Sequence, residues 1–87
     1  MEFELYTSSF CGACRTTRRV LDDAVRLVPG ATVTELPIES EPDRAEAADI
    51  RSTPTVILRD HQGQVRFRAI GVPTVPQVLT AAAQLLA

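Results

Sequence analysis

The chain of 87 residues contains no lysine and no tryptophan, only two cysteines and one histidine, and 5% aromatic residues. All nine basic residues are therefore arginines, which excludes any mechanism that depends on a lysine side chain. Two cysteines are too few for a disulfide-stapled secreted miniprotein, and with one histidine the chain cannot form a closed four-ligand zinc site alone. Nucleic-acid binders usually carry positive charge and stacking aromatics. At a net charge of −2 no nucleic-acid partner is expected.

Long apolar runs and a basic leader are also missing. No apolar run approaches the roughly 18 residues that a membrane-spanning helix needs, so no membrane contact is expected. Residues 1–4 are acidic and lack a basic n-region, so we expect no secretory signal and a cytoplasmic location. The 45% hydrophobic and 23% charged residues are typical of a globular protein, and the length suits a single domain over residues 1–87.

The hydrophobic periodicity predicts the element order β-α-β-α-β-β-α. The predicted strands span residues 2–7, 31–38, 55–59 and 64–70, and the predicted helices span residues 11–28 and 42–50, with a last helix opened by a capping box at Thr74 and Gln77. A strand–helix–strand unit forms a parallel pair through a right-handed crossover, whereas the turn at residues 60–63 joins an antiparallel hairpin. The expected fold class is α/β, a four-stranded mixed sheet with helices on both faces.

Local signals set the expected ends of these elements, and Thr7, Ser8 and Ser9 supply loop and N-cap chemistry before the first helix. Pro29 and Gly30 are expected to end the first helix, and residues 40–43 read as a capped start of the second. Pro37 removes a ladder donor, which places it at a sheet edge or at the end of a strand. On the first helix, Arg18 is spaced to pair with Asp22.

The two cysteines, Cys11 and Cys14, lie three positions apart where the first predicted strand leads into the first predicted helix. The free N–H groups and the positive dipole end of a first helical turn stabilise a thiolate, and Arg15, Arg18 and Arg19 follow and add positive potential around it. A free thiol has a pKa of about 8.5, which such surroundings lower. We therefore expect Cys11 to be an exposed nucleophile and Cys14 a shielded thiol that resolves its mixed disulfides. A structural cysteine pair and a metal site shared with a partner stay open as alternatives.

A second feature is Pro54, directly before the apolar third strand, where a proline removes a backbone hydrogen-bond donor. One interpretation is a cis Thr53–Pro54 bond, with Thr53 offering its backbone N–H and C=O to an extended substrate segment. The other is an ordinary trans proline that starts a strand. The presence of the Cys-x-x-Cys pattern in the same chain favours the first interpretation.

Together these segments resemble the thioredoxin-fold family. Phe10-Cys11-Gly12-Ala13-Cys14 is similar to its active-site motif, residues 48–55 resemble its cis-proline segment, and residues 56–71 resemble its C-terminal half. The resemblance covers nearly the whole chain, whose length is that of a glutaredoxin. It implies a thiol–disulfide oxidoreductase with Cys11 as nucleophile and Cys14 as resolving thiol. The residues that it places in the substrate groove are Phe10, Gly12, Ala13, Thr53, Pro54 and Gly71.

The sequence departs from the family pattern at several positions. Phe10 stands where thioredoxins have tryptophan, and Leu5 where they have a buried acid thought to help deprotonate the resolving thiol. Gly12-Ala13 matches neither the Gly-Pro of thioredoxins nor the Pro-Tyr common in glutaredoxins. Residues 71–74 replace the Gly-Gly signature with which glutaredoxins hold glutathione. The absence of that Gly-Gly signature favours a protein disulfide over a glutathione adduct as substrate.

The resemblance also implies partners and leaves alternatives open. No cofactor is expected beyond the redox-active disulfide, and the expected electron donor is a flavin-dependent reductase or a low-molecular-weight thiol. A monomer is expected. The alternatives are a glutaredoxin- or mycoredoxin-like enzyme, a redox-sensing module without turnover, and a module whose cysteines share a metal or iron–sulfur cluster between two protomers.

Overall fold

The computed structural model describes residues 1–86, in which four strands and three helices follow the predicted order. The strands are β1 (Glu2–Thr7), β2 (Thr32–Pro37), β3 (Thr55–Arg59) and β4 (Val65–Ile70), and the helices are α1 (Gly12–Val25), α2 (Pro42–Ala47) and α3 (Val75–Leu86). None of these helices is long and apolar enough to span a bilayer. The α/β class expected from the sequence is confirmed.

The strands form one mixed sheet in the order β2-β1-β3-β4. β1 runs parallel to β2 and antiparallel to β3, and β3 runs antiparallel to β4. Helix α1 is the crossover of the parallel pair, as the connection rules require. Pro37 is the last residue of the edge strand β2, where its missing N–H weakens the ladder least.

Helices cover both faces of this sheet. Side chains alternate along a strand, so the odd-numbered residues of β1 point to one face and the even-numbered ones to the other. The first core contains Phe3, Leu5, Val56 and Leu58 of the sheet, packed against α1 and α3. The second contains Tyr6, Leu36 and Ile57, packed against Ala45 of α2 and the adjacent Ala48.

Helix α1 ends three residues before the predicted end at residue 28. After Val25 the chain tightens, since Leu27 N–H donates to the Ala24 carbonyl at 3.0 Å and Val28 N–H to the Val25 carbonyl at 3.3 Å. These bonds span three residues rather than four. The tighter turn still buries Val28, which is 6% exposed and packs in the first core.

Helix α2 is shorter than predicted at its C-terminal end. Its N-cap is Glu41, which makes no side-chain cap, so the cap predicted from residues 40–43 does not form. The chain leaves the helix through Asp49, whose φ is 56°, and Ile50 N–H donates to the Ala45 carbonyl at 2.9 Å. A left-handed residue followed by such a bond ends a helix and satisfies its last carbonyls.

Burial in the first core predicts that buried and exposed leucines differ widely in how much they contribute to the free energy of unfolding. Leu58 is 0% exposed and Leu27 is 67% exposed. We expect Leu58→Ala to lower the free energy of unfolding by about 3 kcal/mol, because it leaves a cavity between the sheet and its helices. Leu27→Ala, the matched control, is expected to change it by less than about 0.5 kcal/mol. Urea denaturation measures both values, and equal losses would contradict this assignment of the core.

Candidate active site

The loop between β1 and α1 positions the first cysteine. Phe10 has a left-handed backbone, with φ of 58°, which turns the chain out of the sheet. Cys11 follows with extended backbone angles and is the N-cap of α1. Its sulfur accepts a hydrogen bond from Cys14 N–H at 3.0 Å, in the place where Ser or Asp oxygens usually accept one. The sulfur of Cys11 therefore lies at the positive end of the helix dipole.

The two cysteines form a disulfide across this first helical turn. Their Cα atoms are 5.2 Å apart, within the usual range for a disulfide. Cys14 is 2% exposed, whereas Cys11 is half-buried. A thiol or disulfide from outside can therefore reach the sulfur of Cys11, while the protein shields that of Cys14.

An open cleft of about 550 Å³ lies over the disulfide. It is lined by Ser8, Phe10, Cys11, Cys14, Arg15 and Arg18. Both charged residues in this lining are arginines. Its aromatic ring, that of Phe10, is fully exposed. The cleft thus combines two sulfurs, positive charge and an unburied apolar surface.

Two further segments lie beside this loop. The Thr53–Pro54 peptide bond is cis, and Pro54 is buried. The hydroxyls of Ser8 and Thr53 share a hydrogen bond of 2.6 Å, which ties the β1–α1 loop to this segment. Gly71, with φ of 89°, donates its N–H to the Pro54 carbonyl at 2.9 Å. Hydrogen bonds therefore connect all three segments.

The structure places the predicted groove residues at different positions relative to the cleft. Phe10 lines it, Gly12 and Ala13 lie exposed in the first turn of α1, and Thr53 is linked to it through Ser8. A Cβ at Gly12 would contact nothing within 4 Å, so local packing does not require a glycine there. Exposed apolar side chains flank Gly71, with Ile70 73% and Val72 46% exposed.

Ser8 is a cleft residue that the sequence did not predict for the site, whereas Arg18, expected to add positive potential around the thiolate, lines the cleft with a different partner from the one expected. Ser8 had loop and capping chemistry as its expected role, but Cys11 is the cap and Ser8 bonds to Thr53 instead. The expected partner of Arg18 was Asp22 on the same helix. Its guanidinium instead donates to Glu35 of β2 at 2.5 and 2.8 Å.

Glu35 connects the cleft to the edge strand. It lies opposite Leu5 in the register of β1 and β2, and it also accepts a hydrogen bond of 3.4 Å from the Thr7 hydroxyl. The hydrogen bonds from Arg18 hold the pKa of Glu35 below its ordinary value of 4.5. The carboxylate is therefore ionised at neutral pH and compensates the charge of Arg18.

The buried acid of β1 lies on the other side of the sheet from the cysteines. Glu4 is 3% exposed and accepts hydrogen bonds from Arg44 and Arg59, each at 3.0 Å, and from the Tyr6 hydroxyl at 3.3 Å. Leu5, the residue at the family's acidic position, is fully buried in the first core. Glu4 is thus part of the fold on the α2 face and no candidate base for Cys14.

Comparison with known proteins identifies the family. No protein-family model matches the chain. A thioredoxin of Methanocaldococcus jannaschii is 31% identical over 75 residues, which cover 85% of this chain and 82% of the relative. The chain belongs to the thioredoxin family. With its Cys-x-x-Cys disulfide, this family member is a thiol–disulfide oxidoreductase.

Solved structures agree on the thioredoxin fold. A mutant thioredoxin from Halobacterium salinarum superposes with a TM-score of 0.88 at 16% identity, covering 99% of this chain and 74% of that chain. Thioredoxin 1 of Thermosipho africanus gives 0.85 at 15% identity, over 99% and 94%. Oxidised mitochondrial thioredoxin 3 of Saccharomyces cerevisiae gives 0.83 at 19%, over 97% and 77%. In the part of this thioredoxin-family chain that the structure describes, no cluster of three His, Cys, Asp or Glu residues could hold a metal ion.

The Arg18–Glu35 pair predicts how stability depends on pH. A carboxylate whose folded-state pKa is lowered contributes stability that is complete above the unfolded-state pKa and is lost as the pH falls through the folded-state value. Glu35→Gln removes this contribution. We therefore expect its free energy of unfolding to decline less steeply than that of the wild type below about pH 4.5.

Urea denaturation across that pH range measures the effect. The matched control is Glu46→Gln, which removes the same charge from an exposed position on α2. We expect the control to follow the wild-type pH dependence. Equal flattening in both variants would assign the effect to net charge and contradict a specific role for the pair.

Proposed function

We propose that this protein reduces disulfide bonds of other proteins, with Cys11 as the nucleophile and Cys14 as the resolving thiol. The difference in exposure between the two sulfurs carries the proposal. Cys11 is half-buried at the edge of the open cleft, and Cys14 is 2% exposed on the inner face of α1. A substrate therefore meets the more exposed sulfur of Cys11 first, and the shielded sulfur of Cys14 acts from within the protein.

The proposed reaction has two exchange steps. The Cys11 thiolate attacks one sulfur of the substrate disulfide, whose S–S bond breaks, and the released substrate thiolate takes up a proton. Cys14 then loses its proton and attacks the Cys11 sulfur, which releases the second substrate sulfur as a thiol. The protein ends with the Cys11–Cys14 disulfide, and two electrons have passed to the substrate. Because Leu5 has no ionisable group, we assign the proton of Cys14 to water.

The segments around the cleft support an extended protein substrate. The Thr53 hydroxyl is hydrogen-bonded to that of Ser8, which lines the cleft. The backbone of Thr53 therefore lies beside the cleft, where it can pair with a substrate strand. Phe10, Ile70 and Val72 offer exposed apolar contacts to residues that flank the substrate cysteine. Gly12 and Ala13 are exposed and small, so they leave room for a substrate chain at Cys11.

Serine substitutions test the two cysteine roles. We expect Cys11→Ser to reduce insulin disulfides no faster than the buffer does, because the thiol that remains, that of Cys14, belongs to a residue only 2% exposed. Cys14→Ser is expected to accumulate a mixed disulfide with the substrate, seen as an added mass that dithiothreitol removes. Each variant is the folding control for the other, since both lack the internal disulfide. Full activity of Cys11→Ser would overturn the proposal.

The redox equilibrium of the pair identifies the electron donor. We propose a dedicated flavin-dependent reductase, and so expect a potential at or below the low end of the cytosolic range of about −220 to −320 mV. Equilibration with defined dithiol buffers, followed by thiol alkylation and mass measurement, gives the value. A potential nearer about −200 mV would instead support a low-molecular-weight thiol and a glutaredoxin-like role. If no disulfide forms at any potential, both roles are excluded and a structural or metal-binding pair is supported.

A further inference from the structure

The nine arginines differ in whether the protein itself pairs their charge. Within residues 1–86, six form ion pairs with acidic side chains: Arg18, Arg26, Arg44, Arg51, Arg59 and Arg66. Arg68 donates to the Ala48 carbonyl at 2.7 Å. The two that remain are Arg15 and Arg19, and of these Arg15 lines the cleft over the disulfide.

The two cleft arginines are therefore not equivalent. Glu35 holds Arg18 through two hydrogen bonds and compensates its charge. Arg15 is exposed and has no acidic partner in the described part of the chain. The cleft thus presents one cation whose charge the fold leaves uncompensated.

Arg15 is placed to reach a molecule bound at Cys11. It lies four residues after Cys11, and its backbone N–H donates to the Cys11 carbonyl at 3.4 Å, so both residues lie on the same side of α1. In the reduced protein the thiolate of Cys11 is the negative group nearby. In the mixed disulfide that sulfur is neutral, so the positive charge of the guanidinium is then available to the bound substrate.

We propose that Arg15 binds a substrate carboxylate close to the reacting disulfide and thereby selects acidic disulfide substrates. This inference rests on the proposed function and adds no covalent step to it. A guanidinium matches a carboxylate geometrically and binds it through two parallel hydrogen bonds. The carboxylate can belong to an Asp or Glu of a protein substrate or to a small disulfide such as glutathione disulfide.

The test compares peptide disulfides that differ at one residue beside the cysteine, which is Glu, Gln or Lys. The readout is the ratio of kcat/KM for the Glu peptide to kcat/KM for the Gln peptide. Arg15→Gln also changes the surroundings of the Cys11 thiolate, but that effect is common to all peptides and cancels in the ratio. Arg19→Gln is the matched control, since it removes the same charge from the same helix outside the cleft lining.

We expect the wild-type ratio to be about five, the upper end of what a partly exposed ion pair contributes. Arg15→Gln should bring it close to one, and Arg19→Gln should leave it near the wild-type value. Arg15→Glu should reverse the preference toward the Lys peptide. Raising the salt concentration should lower the wild-type ratio, because salt screens exposed charges.

Glutathione disulfide and its ethyl ester form the arm that separates the two sources of the carboxylate. If the Arg15-dependent preference is for acidic peptides, the carboxylate belongs to a protein substrate. If Arg15 instead gives a preference only for glutathione disulfide over its ethyl ester, the carboxylate belongs to a small disulfide. A wild-type ratio near one in both arms, or a ratio that Arg15→Gln leaves unchanged, overturns the inference. So does an equal loss in Arg19→Gln, which would assign the effect to net charge. Failure to reduce any peptide, by contrast, overturns the proposed function and this inference with it.

Discussion

The burial of β1 on both faces, with a paired strand on each side, determines where the cysteines lie. Its odd-numbered side chains pack against α1 and α3, and its even-numbered ones face α2. Packing on both faces and pairing on both sides therefore fix the position of Thr7, where the chain leaves the sheet. Helix α1 is held by Leu21 and Ala24 in the first core, and Cys14 shares their inner face at helical spacing. Cys11, one residue before the helix, lies outside that face, and this difference in position makes Cys11 more exposed than Cys14.

The sheet topology then brings the other segments of the site to the same place. Because β3 runs antiparallel to β1, its first residues lie at the edge where β1 ends, and β4 returns to that edge with its last residues. The register pairs Tyr6 with Thr55, and Thr55 with Ile70. Pro54 and Gly71 each lie one residue beyond this row. The bonds of Ser8 with Thr53, and of Gly71 with Pro54, connect segments that the strand order has already made neighbours.

Much of this arrangement could be predicted from the sequence, since the strand alternation and the apolar stripe of α1 are local patterns. The interactions that were missed depend on elements distant in the chain. Arg18 and Asp22 are neighbours on any helix, so the spacing alone favoured that pair. Glu35 becomes the partner only because β2 lies beside β1 in a register that places it opposite Leu5. Ser8 was likewise expected to cap the helix, but in the structure it is the sulfur of Cys11 that accepts the hydrogen bond from Cys14 N–H.

The position of the one buried carboxylate of β1 has consequences for the chemistry. Successive residues of a strand face opposite sides, so an acid at position 4 lies on the α2 face, away from the cysteines. There Glu4 forms ion pairs with Arg44 and Arg59, and removing either arginine would leave the buried negative charge of Glu4 only partly compensated. On the cysteine face the electrostatics come from Arg15 and from the Arg18–Glu35 pair. A cleft with one uncompensated cation suits a negative group at each stage of the proposed cycle. That group is the Cys11 thiolate before attack and, in our proposal, a substrate carboxylate once the sulfur is neutral.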